Sequence, residues 1–83
     1  MKITVRYFAS IREAIGQGSE AVETAATTLG ALRDELIARG GAHAGSLARG
    51  RAVRMALNQT LSDESATLVE GAEVAFFPPV TGG

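Results

Sequence analysis

The chain has 83 residues, no cysteine and a formal net charge of −1, and 46% of its residues are hydrophobic. This length bounds it to one domain with a modest core, and the apolar fraction exceeds that of disordered chains. The absence of cysteine excludes disulfides, zinc–thiolate sites and thiol nucleophiles. The near-neutral charge argues against nucleic acid as the main partner, because phosphate binding normally requires a basic excess.

The clustered arginines and the N-terminal residues bear on which ligands the protein binds and on where in the cell it is located. Arg49, Arg51 and Arg54 are interpreted as solvated charge at a strand edge rather than as a phosphate site. The N-terminal residues alternate polar with apolar and lack the continuous apolar run of a signal peptide. No segment has the apolar length that a membrane-spanning helix needs. We therefore expect a soluble, cytoplasmic protein that binds neither nucleic acid nor membrane.

The first half of the chain predicts two strands and two helices. Alternation over residues 2–8 is typical of a strand, and a short helix is expected at 10–15 with Ser10 as its cap. A weaker second strand is predicted over 20–25. Leucines at helical spacing predict the main helix at 28–39, capped by Thr27 or Thr28 and ended by a Gly-Gly pair.

The second half predicts mainly strands. Residues 42–50 are interpreted as a linker of small residues with room for one loose helical turn around 46–49, and a strand is expected at 52–57. A tight turn at Asn58 and Gln59 follows, then a short strand around 68–69 and a final strand at 73–77.

This order of elements predicts an α+β domain in which one main helix covers one face of a mixed sheet of four to five strands. Arg33, Asp34 and Arg39 are expected on the solvated side of that helix, whereas its apolar face is formed by Leu29, Leu32 and Leu36. We expect them to pack against Ile3, Val5, Tyr7, Met55, Leu57 and one face of residues 74–77.

The side chains offer little for catalysis. His43 is the only histidine and lies in a Gly-Ala-His-Ala-Gly segment that we expect to be flexible surface, with no carboxylate nearby in sequence. Asp63 and Glu64 are interpreted as a solvated turn without a third metal ligand. We therefore expect no metal site and no catalysis by the side chains of this chain alone.

The C-terminus is the part of the chain best suited to chemistry. Pro78 and Pro79 cannot donate to a sheet and favour a stiff extended segment, and the chain then ends in Gly82 and Gly83. These six residues reach about 20 Å when extended, enough to thread a channel in a partner. A terminal carboxylate has a pKa of about 3.3–3.7, so near neutral pH it is an anion that can attack the α-phosphate of ATP held by a partner. A mobile tail without chemistry is the simple alternative.

Residues 73–83, Glu-Val-Ala-Phe-Phe-Pro-Pro-Val-Thr-Gly-Gly, closely resemble the C-terminal signature of the small-subunit family of molybdopterin synthase. Residues 56–60, the opening strand and the helix start at 29–32 are similar as well. The resemblance covers the whole chain, but its specificity lies in the tail. It implies a ubiquitin-like β-grasp fold, with the domain at residues 1–77 and an extended tail at 78–83.

The resemblance also implies a function. In the family, an adenylyltransferase related to ubiquitin-activating enzymes uses ATP to activate the terminal glycine, and a sulfurtransferase then converts it to a thiocarboxylate. The tail inserts into the large synthase subunit, within a heterotetramer, and sulfur passes to cyclic pyranopterin monophosphate in molybdenum cofactor biosynthesis. Gly83 is thus implied to carry sulfur, with no cofactor bound by this chain and the catalytic side chains in the large subunit. The positions implied to contact partners are Gly82, Thr81, Val80, Pro79, Pro78, Phe77 and Phe76.

Phe76 and Phe77 point to opposite faces of their strand. Whichever points outward is expected to anchor the docking interface together with Pro78 and Pro79. The alternatives are a related carrier for thiamine, tRNA thiolation or cysteine synthesis, a ubiquitin-like protein modifier, and an interaction module whose tail does no chemistry.

Overall fold

The computed structural model describes residues 1–79, which form five strands and three helices. The predicted tail positions Val80, Thr81, Gly82 and Gly83 lie outside the described residues. In chain order the elements are β1 (Lys2–Tyr7), α1 (Ala9–Ile15), β2 (Ser19–Glu23), α2 (Leu29–Ile37), α3 (Gly41–Leu47), β3 (Arg54–Leu57), β4 (Thr60–Ser62) and β5 (Glu73–Phe77).

The strands form one mixed sheet in the order β2-β1-β5-β3-β4. β1 and β5 pair in parallel, with Val5 opposite Val74 and Tyr7 opposite Phe76, and the other three pairings are antiparallel. The predicted α+β architecture with a mixed sheet is thereby confirmed. Because β1 and β5 run in the same direction, the chain leaves β5 at the end of the sheet where β1 also ends.

The core lies between α2 and the inward face of the sheet. Leu29, Leu32 and Leu36 are at most 1% exposed and belong to one apolar cluster with the alternating residues of β1, β3 and β5. Each fully buried leucine stabilises the fold by about 1.5–3 kcal/mol. The N-cap of α2 is Thr28, whose Oγ1 accepts a hydrogen bond from the Ala31 N–H at 3.2 Å, as predicted.

The short helix α1 is present, but its predicted cap is wrong. Phe8 occupies the N-cap position without a side-chain hydrogen bond, and Ser10 lies inside the helix. The helix ends at Gly16, which adopts a left-handed conformation with φ of 89° and donates its N–H to the Arg12 carbonyl at 2.8 Å. Glycine suits this position because it has no Cβ to clash.

The predicted linker at 42–50 is wrong, because residues 41–47 form α3. Leu47 is fully buried in the core. The residues around it are small, so the sequence has no apolar pattern here that would predict this burial. Arg33, expected on the solvated side of α2, is only 4% exposed. Its Nε donates to the Leu47 carbonyl at 2.7 Å, and its Nη2 donates to the carbonyls of Ala48 and Arg51 at 2.9 and 3.2 Å. The buried guanidinium therefore satisfies the backbone acceptors where α3 ends.

The predicted short strand at 68–69 is also wrong. The fourth strand is β4, which pairs with β3 across the turn at Asn58 and Gln59. Both turn residues have positive φ, 50° and 69°, which matches the twist of a two-residue hairpin. The tight turn itself is confirmed, and Leu68 is a buried loop residue rather than part of a strand.

Gly30 is expected to resist substitution because the segment after β4 lies directly against it. Its N–H donates to the Glu64 carbonyl at 2.9 Å, and an added Cβ would lie 3.3 Å from that oxygen and 2.9 Å from Glu64 Oε1. Gly30→Ala should lower the free energy of unfolding by about 1–3 kcal/mol through overpacking. The matched control is Gly45→Ala in α3, where a Cβ meets nothing within 4 Å and should stabilise by about 0.4–1 kcal/mol. Urea denaturation measures both values, and equal effects would contradict the expected contact.

Candidate functional site at the root of the C-terminal tail

The tail leaves the domain from the centre of the sheet. β5 ends at Phe77, which pairs with Arg54 of β3, and on the β1 side the Phe8 N–H donates to the Phe76 carbonyl at 3.2 Å. Pro78 and Pro79 follow, both half-buried, and neither can extend the pairing with an N–H. The root of the tail, formed by Pro78 and Pro79, thus follows directly from a central strand and lies beyond its pairing.

The two phenylalanines face opposite ways, as predicted. Phe76 is 0% exposed and stacks on Tyr7 with ring centroids 6.3 Å apart, whereas Phe77 is half-buried on the outer face. The ring of Phe76 therefore has no exposed surface in this structure, and its predicted contact with a partner stays a prediction. The outward aromatic residue is Phe77.

An apolar surface surrounds Phe77 on the outer face of the sheet. Cross-strand pairing places Ala75 beside Ala56 and Ala56 beside Leu61, which is 60% exposed. Phe8, 41% exposed, continues the outward alternation of β1 at the same end of the sheet. We call Phe8, Ala56, Leu61, Ala75 and Phe77 the outer apolar face.

Sequence reasoning missed Phe8 and Leu61 as members of this surface. The alternation of β1 was a sufficient signal for Phe8, since it lies one residue beyond the inward Tyr7. Leu61 carried no such signal, because its orientation depends on β4, which was expected elsewhere in the chain.

Two surface grooves flank the root of the tail. Pro78 lines one of them, between α1, α3 and residues 51–53, where the walls are mainly small and apolar. Pro79 lines the other, between the start of β3, β4 and residues 63–64. A partner that receives the tail therefore meets concave surface on both sides of the two prolines.

His43 does not lie in a flexible segment without a partner, as the sequence suggested. It belongs to α3, its ring stands edge-on to Tyr7 at 5.9 Å, and its Nε2 lies 3.0 Å from Glu20 Oε2. Tyr7 donates to the same carboxylate at 2.6 Å and Arg39 donates to it at 2.8 Å. This polar cluster joins β1, β2, the turn after α2 and α3, so its role is structural.

The cluster shifts the acidity of two of its members. Burial raises the pKa of Tyr7 well above its ordinary value, and the hydrogen bond to Glu20 acts in the same direction. Burial also acts to raise the pKa of Glu20, but the hydrogen bonds from Tyr7, Arg39 and His43 outweigh it and lower the pKa from 4.5 to about 2. The Glu20 carboxylate is thus held as an anion.

The stability that Glu20 contributes should depend on pH in one direction. Its folded pKa is depressed, so the contribution is complete above about pH 4.5 and is lost as the pH falls towards 2. In Glu20→Gln, the deficit in free energy of unfolding should be largest at neutral pH and should shrink below pH 4.5. Urea denaturation from pH 2.5 to 7 measures it, with the exposed α1 variant Glu13→Gln as control. A deficit independent of pH would contradict this role.

Of the three clustered arginines, Arg49 is not simply solvated. Its guanidinium pairs with Asp34 at 2.9 Å and with Glu64, and it donates to the Gly30 carbonyl at 3.1 Å. These contacts tie the segment before β3 to α2. Arg51 and Arg54 are exposed, as expected.

The acidic pair Asp63 and Glu64 is engaged within the protein. Glu64 pairs with Arg33 and Arg49, while Asp63 accepts hydrogen bonds from the backbone and side chain of Ser65, which lower its pKa. Across residues 1–79, no group of three His, Asp or Glu side chains is arranged to hold a metal ion. Over the same residues, no helix is long and apolar enough to cross a bilayer.

A mixed five-stranded sheet, a helix across one face and a C-terminal segment leaving the central strand define a ubiquitin-like β-grasp protein. The chain belongs to the ThiS family, whose family model matches residues 5–83. It is similar to the molybdopterin synthase sulfur carrier subunit of Escherichia coli K12, with 42% identity over 81 residues that cover 98% of this chain and 99% of the relative.

Solved structures agree with this assignment. Subunit 1 in the protein–protein complex of subunits 1 and 2 of the molybdopterin-converting factor from Helicobacter pylori superposes with a TM-score of 0.68 at 28% identity, covering 100% of both chains. SAMP1 from Haloferax volcanii superposes with a TM-score of 0.78, also over 100% of both chains. Its identity is 24%, so this likeness concerns the fold alone.

Proposed function

We propose that this chain is the sulfur-carrier subunit of a molybdopterin synthase and that the carboxylate of Gly83 carries the sulfur. The observation that carries the proposal is near full-length similarity, 42% identity across 98% of the chain, to a protein with that name. It is supported by a tail that is rooted in the central strand β5 and ends in two glycines.

The chemistry proceeds at the backbone, because the chain has no thiol of its own. One oxygen of the Gly83 carboxylate attacks the α-phosphate of ATP in a partner adenylyltransferase, and pyrophosphate leaves. The sulfur of a donor bound to a sulfurtransferase then attacks the carbonyl carbon of the acyl-adenylate, and AMP leaves. With a persulfide as the donor, a second thiol then attacks the sulfur that remains on the donor, so that the S–S bond breaks, a disulfide forms on the donor side and the thiocarboxylate leaves. Glycines at both final positions let the backbone approach the reacting groups without a Cβ.

Sulfur delivery requires docking on the large synthase subunit. Subunits 1 and 2 of the molybdopterin-converting factor from Helicobacter pylori form a complex, which supports a large-subunit partner for this chain. We assign the interface to the outer apolar face, with Phe77 as its anchor and Pro78 and Pro79 at the channel entrance. The tail, from Pro78 through Val80 and Thr81 to Gly82, then places Gly83 beside cyclic pyranopterin monophosphate. The catalytic side chains lie in the large subunit of a cytoplasmic heterotetramer, and this chain holds no cofactor.

Intact mass spectrometry tests the carrier chemistry. After incubation with the adenylyltransferase, ATP and a sulfur source, the chain should gain the mass difference between one sulfur and one oxygen. Fragmentation should place that gain on Gly82-Gly83. The control omits ATP and should show no gain. If the chain gains no mass while a known carrier does so with the same activating enzyme, the proposal is wrong.

A further inference from the structure

The net charge of −1 conceals an uneven distribution of cations. Arg6, Arg33, Arg39 and Arg49 all form ion pairs with carboxylates of the domain. The other four cations, Lys2, Arg12, Arg51 and Arg54, are exposed and form no ion pair with any carboxylate of residues 1–79. Of these four, only Arg51 and Arg54 line the grooves beside Pro78 and Pro79 in the described part of the chain. These two guanidiniums, which we call the exit arginines, therefore keep their charge available to a partner.

The exit arginines stand on either side of the tail root. Arg51 lines the groove that contains Pro78 and is the one charged residue among its lining positions. Arg54 lines the groove that contains Pro79 and lies directly opposite Phe77 in the pairing of β3 with β5. Arg54 thus borders the outer apolar face, so a partner docked on that face also meets a positive charge.

Neither of the two acidic side chains on the wall of the Pro79 groove forms an ion pair with Arg54. Glu64, on the wall of the Pro79 groove, is already shared between Arg33 and Arg49. Asp63, on the same wall, accepts hydrogen bonds from Ser65 and forms no ion pair within residues 1–79. Among the described residues, no carboxylate lines the Pro78 groove.

We propose that Arg51 and Arg54 bind acidic side chains on the large synthase subunit, at the rim of the channel that receives the tail. This inference rests on the proposed function and adds the chemistry of the docking surface. When the tail is bound fully extended, its six residues would put Gly83 about 20 Å from the root, so phosphates at the reaction centre would be out of reach of these arginines. The groups that meet the root are those around the channel entrance, and carboxylates are the protein groups that complement guanidinium.

Surface charges of this kind act mainly on the rate of association. Complementary charges steer the encounter and raise the association rate constant, whereas dissociation depends more on apolar contacts such as those of Phe77. At about 0.1 M ionic strength the Debye length is about 10 Å, so a charge must lie near the interface to contribute. A charge at the opposite end of β1, about 17 Å along the strand, is then largely screened.

The test compares three single substitutions that each change the net charge by the same amount. Arg51→Glu and Arg54→Glu alter the exit arginines, and Lys2→Glu alters an exposed cation at the opposite end of β1. Stopped-flow association with the purified large subunit at about 0.1 M salt should show rate constants reduced about tenfold for both arginine variants. Lys2→Glu should associate like the wild type. At about 1 M salt, where the Debye length is about 3 Å, all four rate constants should converge.

Two outcomes overturn the inference. One is an association rate of the arginine variants that equals that of Lys2→Glu. The other is normal association with the large subunit combined with impaired adenylation, which would assign the arginines to the activating enzyme. The sulfur-uptake assay on the wild type distinguishes the two proposals. No sulfur uptake would contradict the carrier function, whereas normal uptake together with unchanged association of the arginine variants would contradict this inference alone.

Discussion

Deletion of Gly83 is expected to abolish sulfur uptake while leaving the domain folded. The shortened chain still ends in a glycine carboxylate of ordinary acidity, so its chemical reactivity is unchanged. The position of the terminal carboxylate does change, because one extended residue spans about 3.3 Å. Misplacement of a reacting group by about 1 Å can cost about 100-fold in rate, so we expect a loss of at least that size.

Thiocarboxylate formation followed by intact mass spectrometry measures this loss. The matched control is Gly83→Ala, which keeps the length of the tail and adds one methyl group, and which should retain more activity than the deletion. Thermal unfolding should be the same for all three chains, because the buried core of the described residues runs from Ile3 to Phe76 and neither change alters any of its members. Wild-type sulfur uptake by the shortened chain would contradict the requirement for Gly83 and for the full length of the tail.

Alanine at Phe77 and alanine at Phe76 should have opposite consequences. Phe76 is fully buried and stacks on Tyr7, so Phe76→Ala should lower the free energy of unfolding by about 3–5 kcal/mol. Phe77 is half-buried on the outer face, so Phe77→Ala should cost less than about 1.5 kcal/mol of stability. As an interface anchor, however, it should weaken binding of the large subunit by about 2 kcal/mol, roughly 30-fold.

Guanidinium chloride denaturation and titration calorimetry with the large subunit separate the two effects. Leu61→Ala provides a second probe of the outer apolar face, because its side chain is 60% exposed and contributes little to the core. It should weaken binding in the same direction as Phe77→Ala. Unchanged affinity of Phe77→Ala, or its global unfolding, would refute the assignment of Phe77 as the docking anchor.

The sequence by itself determined the parts of this protein that depend on local periodicity and on covalent chemistry. Alternation in β1 and helical spacing in α2 place the apolar residues on one face whatever the rest of the chain does. The opposite orientations of Phe76 and Phe77 follow from the pleat of a strand in the same way. The two prolines and the terminal glycines specify how the tail departs and what its end can do before any tertiary contact is known.

Tertiary structure decided the elements whose local signal is weak. The helix α3 consists largely of small residues and is stabilised by the buried Leu47 and by Arg33, which lies 14 positions earlier in the chain. Likewise, the ring of His43 contacts the carboxylate of Glu20, which lies 23 residues away in the sequence. Strand β4 forms because the turn at residues 58 and 59 brings the chain back alongside β3. Such contacts depend on which distant groups the fold brings together, and a local pattern contains no information about that.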